Sequence, residues 1–537
     1  MHTPTATLPA ASIASPWKPL HTRVFLWLWL ASIASNIGTW MHEVGSGWLM
    51  TSLSASPQAV ALVQVAGALP VFLLALPAGA LADIVNKRRY LLAVQGWMAL
   101  VALALTLLTV TGQMSVPLLL TLTFAMGIGS ALMMPAWSAL APEIVAREDV
   151  PAAVALSSLA MNVARAIGPA IAGVLVSLSG PWLTFALNSV SFLAVIVALY
   201  AWRHTPAPAT LPAERWWGAM RAGVRYARGS RSLRAVLVRT AAFFVGAVVG
   251  MALLPLLVRR EIGGTALDYG ILLGCVGIGA VVGAVLLPRL RARLSADLIV
   301  VGASVVYALV LFGLAWVRSM AALAPLMLIS GVAWIAVLSS LQVAVQTTVP
   351  SWVRARAVSL YILVFFGCSA GGAAGWGAVA SHVSMNAAFM GAGVVLLVGI
   401  LLRWHFPLPT GEMDEMQPSK HWAAPQLDEA LPAERGPVMI TVEYRIAQEH
   451  AAKFSHAMQA VSHMRKRNGA FSWGLMQDAQ DPRLWQEYFF EESWVEHLRH
   501  HDRVTRADQK LEVAARRFQE EGVPVKIRHL LNQAAGH

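Results

Sequence analysis

The chain has 537 residues, 57% of them hydrophobic and only 13% charged, with a mean hydropathy of +0.60 and a net charge of +12. A water-soluble chain carries about twice that charged fraction, so the composition excludes a wholly soluble enzyme and predicts a polytopic membrane protein. A basic balance can mark a nucleic-acid binder. Here 24 Lys/Arg and 9 Asp/Glu fall in residues 1–406, between apolar runs, against 16 and 19 in residues 407–537, so orientation in a bilayer explains the cations better and no nucleic-acid partner is expected.

Residues 1–20 hold scattered Pro, Thr and Ala without an apolar core, which predicts a short tail and no cleavable signal peptide. Apolar segments of spanning length follow near 24–50, 57–82, 90–111, 116–138, 151–178, 181–202, 233–258, 266–288, 296–317, 321–346, 357–380 and 385–406. Each is near or above the roughly 20 residues that a bilayer requires, giving twelve transmembrane helices. Cys275 and Cys368 both sit inside these runs, which argues for packing rather than a disulfide framework.

Between the second and third runs the chain reads Gly79-Ala-Leu-Ala-Asp83-Ile-Val-Asn-Lys87-Arg88-Arg89. An apolar run ends, a carboxylate follows and three cations close the turn, as in a tight inner-side loop. Gly79 is expected to let neighbouring helices approach closely. Asp83 is expected to bond a helix terminus or a cation. The stretch resembles the loop signature between helices two and three of the major facilitator superfamily of transporters. Gly79, Leu81, Asp83, Arg88 and Arg89 fall in register, and Asn86 stands where that family usually has Gly. The resemblance implies two six-helix halves, residues 21–202 and 233–406, with a substrate site between them near midplane.

The two halves repeat. A shift of 204 carries residues 79–173 onto 283–377 without a gap, matching Gly79 with Gly283, Arg89 with Arg293, Gly127 with Gly331, Gly168 with Gly372 and Gly173 with Gly377. The second loop motif is degenerate, with Leu287 at the position of Asp83. Placing both ends and every even-to-odd connection inside puts 20 of the 24 Lys/Arg of residues 1–406 in the cytoplasm. Arg259, Arg260 and Arg318 fall outside, and Arg165 falls within a span. The expected location is the cytoplasmic (inner) membrane. Residues 203–232 join the halves. Glu214 to Arg231 could form an aromatic and cationic interfacial helix, with Trp217, Met220 and Val224 on one face, or be a disordered basic linker.

Residues 407–437 read as a Pro-rich linker. Residues 438–537 then turn soluble in texture. Val438–Ile446 alternates as a strand, and Glu449–Arg467 has helical period. Phe471–Met476 and Leu484–Glu491 form a hairpin around Asp481-Pro482. Ser493–Glu521 reads as one helix capped by Ser493 and Glu496, and Val523–Leu530 closes as a strand. The order βαββαβ predicts a small ferredoxin-like α+β domain. The segment from Tyr488 to His501 resembles the small monooxygenase-like α+β barrel family, which implies pairing as a homodimer through this domain.

Arg165 sits mid-span in Ala164-Arg-Ala-Ile-Gly168-Pro169-Ala-Ile-Ala-Gly173. An ionisable group at that depth costs at least ~2.5 kcal/mol, so it is expected to face a cavity or a partner, in a substrate or coupling role or in a structural one. The motif resembles the fifth helix of the exporter branches, where Gly168, Pro169 and Gly173 pack against the other half and Gly372 and Gly377 supply the repeat-related small residues. Glu43, beside His42 in the first span, is the acidic residue placed well inside an apolar run. A carboxyl there is cheaper protonated than charged and so can carry a proton, or it caps the helix near the outer leaflet. Gln64 and Asn162 join Glu43 and Arg165 as candidate substrate or coupling residues, although helix–helix bonding is the plainer role for both.

The stretch Ala34–Asp83 resembles the enterobactin-exporter-like branch. The resemblance covers about residues 20–406 and implies export of a small amphipathic compound, siderophore or drug-like. No phosphate-binding Gly-rich Lys-Ser/Thr loop occurs, so a gradient rather than ATP is the expected energy source. His497, His500 and His501 share a helix face, but with no third ligand pattern they read as helix-start packing and surface placement. Trp473, Trp485 and Trp494 read as core. No cofactor, metal ligand or catalytic residue is assigned. A second reading gives the tail a catalytic or ligand-sensing role.

Overall fold

The computed structural model describes residues 17–138, 140–202, 216–408, 416–419, 421–422 and 435–532. The side chains of Asp83, Trp217, Met220 and Arg221 lie outside the described residues.

Twelve described helices are long and apolar enough to cross a membrane. They are α1 (Arg23–Leu53), α2 (Pro57–Ile84), α3 (Lys87–Val110), α4 (Val116–Ser138), α5 (Val150–Ser179) and α6 (Trp182–Ala201). After a shorter α7 (Trp216–Gly229) come α8 (Arg231–Glu261), α9 (Ala266–Arg291), α10 (Ala296–Trp316), α11 (Met320–Thr347), α12 (Ser351–His382) and α13 (Met385–Trp404). The helices start where side chains replace missing backbone partners. Asn86 accepts from Arg89 N, Ser230 from Leu233 N, Ser295 from Leu298 N and Ser384 from Ala387 N. Thr265 and Asp268 form a capping box at α9. Between the halves the chain is helical from Trp216, not a linker throughout.

The repeat predicted from glycine spacing is built into the packing. A Cβ on Gly168 would meet Trp40 of α1, and one on Gly372 would meet the Val245 carbonyl of α8, each within its own half. A Cβ on Gly173 would lie 2.9 Å from Ala266 O of α9, and one on Gly377 would lie 2.6 Å from Ala61 Cβ of α2, each across to the other half. Two equivalent seams result, α5 on α9 and α2 on α12. The Pro169 carbonyl faces Gly270 in the first of them. Small residues let the backbones touch where lipid gives helices no hydrophobic reason to associate.

Gly79 departs from expectation. Among the described residues a Cβ there would meet nothing within 4 Å, so it makes no close helix approach to them in this conformation. Within the loop, Lys87 pairs with Glu143. Arg88 donates to the carbonyls of Leu199 (3.0 Å) and Tyr200 (2.8 Å), so a cation closes the C-terminal end of α6. Arg89 is exposed.

The C-terminal region is a four-stranded antiparallel sheet of order β2-β3-β1-β4, from β1 (Val438–Arg445), β2 (Ser472–Gln477), β3 (Leu484–Glu491) and β4 (Lys526–Leu531). It carries α14 (Ala451–Asn468), α15 (Trp494–Arg503) and α16 (Arg506–Arg516). This is the ferredoxin-like arrangement. The single helix expected over Ser493–Glu521 is two. Thr505 and Asp508 form a second capping box, which ends the first helix and starts the next. Its core gathers Val438, Ile440, Val442, Phe454, Met458, Phe489 and Trp494, with Trp473 and Trp485 packed at its margin.

Candidate functional site

Glu43 lies several turns before the end of α1 at Leu53, so it is not a terminal cap. Its side chain is exposed, while its neighbour His42 is buried with its ring 5.3 Å from that of Phe185. The charge of Glu43 reaches Arg165 of α5, in the same half, and Tyr269 of α9, in the other. The Arg165 guanidinium lies over the Trp40 ring at 5.6 Å, a cation–π contact that holds it against α1. Its buried Nε has no hydrogen-bond partner among the described residues. A Cβ on Gly277 of α9 would come within 2.4 Å of the Arg165 carbonyl, so the α5–α9 seam passes through this depth. Three helices from both halves thus meet around one carboxylate, one guanidinium and one phenol.

Asn162 does not join them by hydrogen bonding. Its amide donates to Ser158 O in its own helix, so it bonds within a helix rather than between helices. Gln64 is exposed on α2.

Beyond the site, on the face away from Asn86, the halves are clasped. Trp48 of α1 stacks on Tyr269 at 6.2 Å, the Arg259 guanidinium lies 5.4 Å over Trp48, and Arg259 donates to Thr51 Oγ1 at 3.0 Å. Arg318 is held by several partners too. It bonds Glu261, Asn386 and the carbonyls of Leu314, Ala315 and Val317, joining α8, α10 and α13.

A match to the family described as transmembrane secretion effector spans residues 14–536, nearly the whole sequence and the C-terminal sheet with it. The chain belongs to that family, within the major facilitator superfamily. It is 26% identical over 257 residues to the staphyloferrin A transporter of Staphylococcus aureus (strain NCTC 8325 / PS 47), covering 47% of this chain and 64% of that one. It is 26% identical over 186 residues to an uncharacterized MFS-type transporter, YfiS, of Bacillus subtilis (strain 168), covering 34% and 43%. The alignments thus span less than two thirds of either curated relative. A crystal structure of the nucleoside transporter NupG superposes with a TM-score of 0.61 at 13% identity, over 72% of this chain and 100% of that structure, a likeness of fold.

In this family member the C-terminal region sits against α7 and the start of α12. The Arg503 guanidinium lies 4.6 Å over Trp352, and that of Arg467 lies 5.6 Å over Tyr226. The charges of Glu492 and Glu496 reach Arg225. Inside the region, Arg465 of α14 bonds Glu487 at 3.0 Å and Glu512 at 2.7 Å, with all three buried. Burial opposes the Arg465 charge, but the two carboxylates outweigh it and raise the affinity of Arg465 for its proton. Burial likewise opposes the Glu512 charge, and Arg465, His421 and Trp422 overcome it, holding Glu512 at about 2. His421 and Trp422, from the linker, reach Glu512 at 3.0 and 3.1 Å.

His497 and His500 are not at the surface, and His501 is half-buried. His497 and His500 are 1% and 0% exposed, because the α15 face that carries them turns onto β3. Both bond Glu491, His497 through Nδ1 at 2.8 Å. Burial opposes the Glu491 charge, and His500 and His497 outweigh it, holding Glu491 at about 2. Burial, then the charge of His497, pushes His501 and His529 down to about 4. Sequence spacing hid His529: it comes from β4, and only the sheet order brings it to α15.

Proposed function

We propose that the protein is a proton-coupled secondary exporter of a small amphipathic, acid-bearing molecule of the siderophore or drug-like class, working by alternating access. Residues 21–202 and 233–406 act as the two halves, joined by residues 203–232. The observation that carries this reading is the constellation of Glu43, Arg165 and Tyr269. Among the described residues the buried Nε of Arg165 has no partner, so it is a donor that an acidic substrate group can occupy, while Glu43, whose charge reaches it, takes a proton when that group leaves. Unpartnered buried donors are costly, so one poised beside a carboxylate favours a binding role over a structural one. Similarity to the staphyloferrin A transporter supports the siderophore class.

The face bearing Asn86 is taken as cytoplasmic, because most cations of residues 1–406 fall there. The Trp48, Arg259 and Tyr269 clasp then closes the outer side, while Gly79 stands clear of its described neighbours at the inner one, which supports an inward-facing state. Asp83, Arg88 and Arg89 are assigned to the inner gate, and Gly168, Pro169, Gly173, Gly372 and Gly377 to the seams on which the halves rock. Gln64 and Asn162 stay assigned to the substrate path. The enterobactin-exporter-like branch and an inner-membrane location complete the reading.

A second reading gives residues 438–537, the monooxygenase-like domain, a ligand-sensing role and pairing as a homodimer. The Arg503–Trp352 contact favours the sensing part, since it ties α15 to the first turn of α12, a seam helix. The experiment is uptake into everted vesicles against a panel of siderophores and dyes, with and without uncoupler. Uphill uptake abolished by uncoupler supports the proposal, and uptake indifferent to it opposes proton coupling.

A further inference from the structure

His497 and His501 stand one turn apart on α15, and their Nε2 atoms face each other at 3.2 Å. In a tetrahedral site with metal–nitrogen bonds of about 2.0–2.1 Å, neighbouring ligand nitrogens lie about 3.3 Å apart. The pair already has that spacing. Two histidines at i and i+4 on one helix face are also a recurrent metal-binding arrangement. His529, on edge strand β4, adds a third ring 4.7 Å from that of His497, and ligand atoms of all three lie within 4.8 Å of one another. A side-chain rotation that closes His529 by about 1.5 Å completes a facial set of three nitrogens.

The surroundings fit the same use. His497 Nδ1 donates to Glu491 Oε2 at 2.8 Å, which turns the Nε2 lone pair toward His501, and carboxylates commonly orient metal-binding imidazoles in this way. Glu491 is itself held by His500, so the orienting group is fixed. Trp494 lies 5.3 Å from His497 and 5.9 Å from His529, and Trp422 lies 4.9 Å from His501, giving the cluster aromatic walls. His501 and His529 are only half-buried, which leaves an entry path.

We propose that His497, His501 and His529 bind a divalent first-row transition ion, with Glu491 as the orienting carboxylate and the fourth position open to water or a small ligand. All-nitrogen coordination selects zinc-like ions over magnesium or calcium, which take oxygen. The site lies outside the membrane helices and does not depend on the transport reading. Its helix also carries Arg503, so an occupied site would stiffen the element that touches Trp352.

The test uses tag-free, full-length protein in detergent, stripped with chelator and titrated with Co(II), whose tetrahedral complexes absorb strongly in the visible, followed by displacement with Zn(II). One Co(II) per chain with that spectrum is expected for the wild type and for H456A/H463A, which removes exposed histidines elsewhere in the domain. The H501Q/H529Q variant, which keeps side-chain bulk, is expected to lose the spectrum and the bound ion while remaining monodisperse. Glu491→Gln is expected to weaken binding by about 10–100-fold and keep the stoichiometry. A wild type without the spectrum, or a monodisperse H501Q/H529Q variant that keeps it, overturns the proposal.

Discussion

Replacing Gly173 by Val should shift the protein away from the state closed on the face away from Asn86. A Cβ at Gly173 lies 2.9 Å from Ala266 O, 3.0 Å from Gly270 Cα and 3.2 Å from Leu267 Cα, all backbone atoms of α9 that cannot rotate aside. Overpacking of this kind costs about 1–3 kcal/mol, and valine adds two further methyl groups. The cost applies only while the α5–α9 seam is closed, so the equilibrium between states should move by about 5–150-fold. Gly377→Val strains the other seam, where a Cβ would lie 2.6 Å from Ala61 Cβ, and the effects should add because the seams share no partner. Gly371→Val is the control, since a Cβ there meets nothing within 4 Å. Spin labels at Ala55 and Ser319, on the ends of the two halves away from Asn86, would read the change by double electron–electron resonance. A growing long-distance population in Gly173→Val and Gly377→Val, absent in Gly371→Val, is expected. Distributions that superimpose on wild type would refute the seam argument.

Arg465→Met leaves Glu487 buried without its cation and Glu512 with only the more exposed Arg516 at 3.6 Å, and should destabilise the C-terminal domain by about 3–5 kcal/mol, measured by hydrogen exchange of β1 and β3 in the full chain. Acid should weaken the same strands in two stages. Metal-free His501 and His529, held near 4 against an ordinary 6.5, stay neutral when folded, so their contribution fades as pH falls from about 6.5 to about 4. Glu491 and Glu512, held near 2 against 4.5, each contribute about 3 kcal/mol above pH 4.5 that is lost toward pH 2. Exchange protection that stays flat from pH 7 to 4 would contradict the histidine part. Arg165→Ala should abolish or re-target transport, whereas Arg260→Ala, at an exposed position, should not; equal losses in the two variants would remove Arg165 from the site.

The membrane helices were legible because apolar length alone decides them, and the repeat because glycine cannot be replaced where backbones touch. Gly168 with Gly372, and Gly173 with Gly377, recur at one offset since each pair meets equivalent neighbours. Gly79 was misjudged because a motif carries no record of conformation, and in this one no described neighbour comes within 4 Å of a Cβ placed on that turn of α2. The bonds of Arg318 were not legible because sequence does not reveal which carbonyls a chain end presents to it. In the C-terminal domain, strand and helix periods gave the topology, but the break at Thr505 depended on a two-residue capping box inside an otherwise helical pattern. The histidine cluster was half visible. His497 and His501 share a face by spacing, while His529 reaches them only through the pairing of β4 with β1.

The most direct test of the account is transport by purified protein in liposomes carrying an imposed pH gradient, comparing wild type with Glu43→Gln. The account predicts that substrate accumulates against its gradient only when the pH gradient is present. Glu43→Gln should still bind substrate and exchange it across the bilayer, yet fail to accumulate it. Uphill accumulation by Glu43→Gln equal to wild type, or accumulation by wild type without any pH gradient, would contradict it.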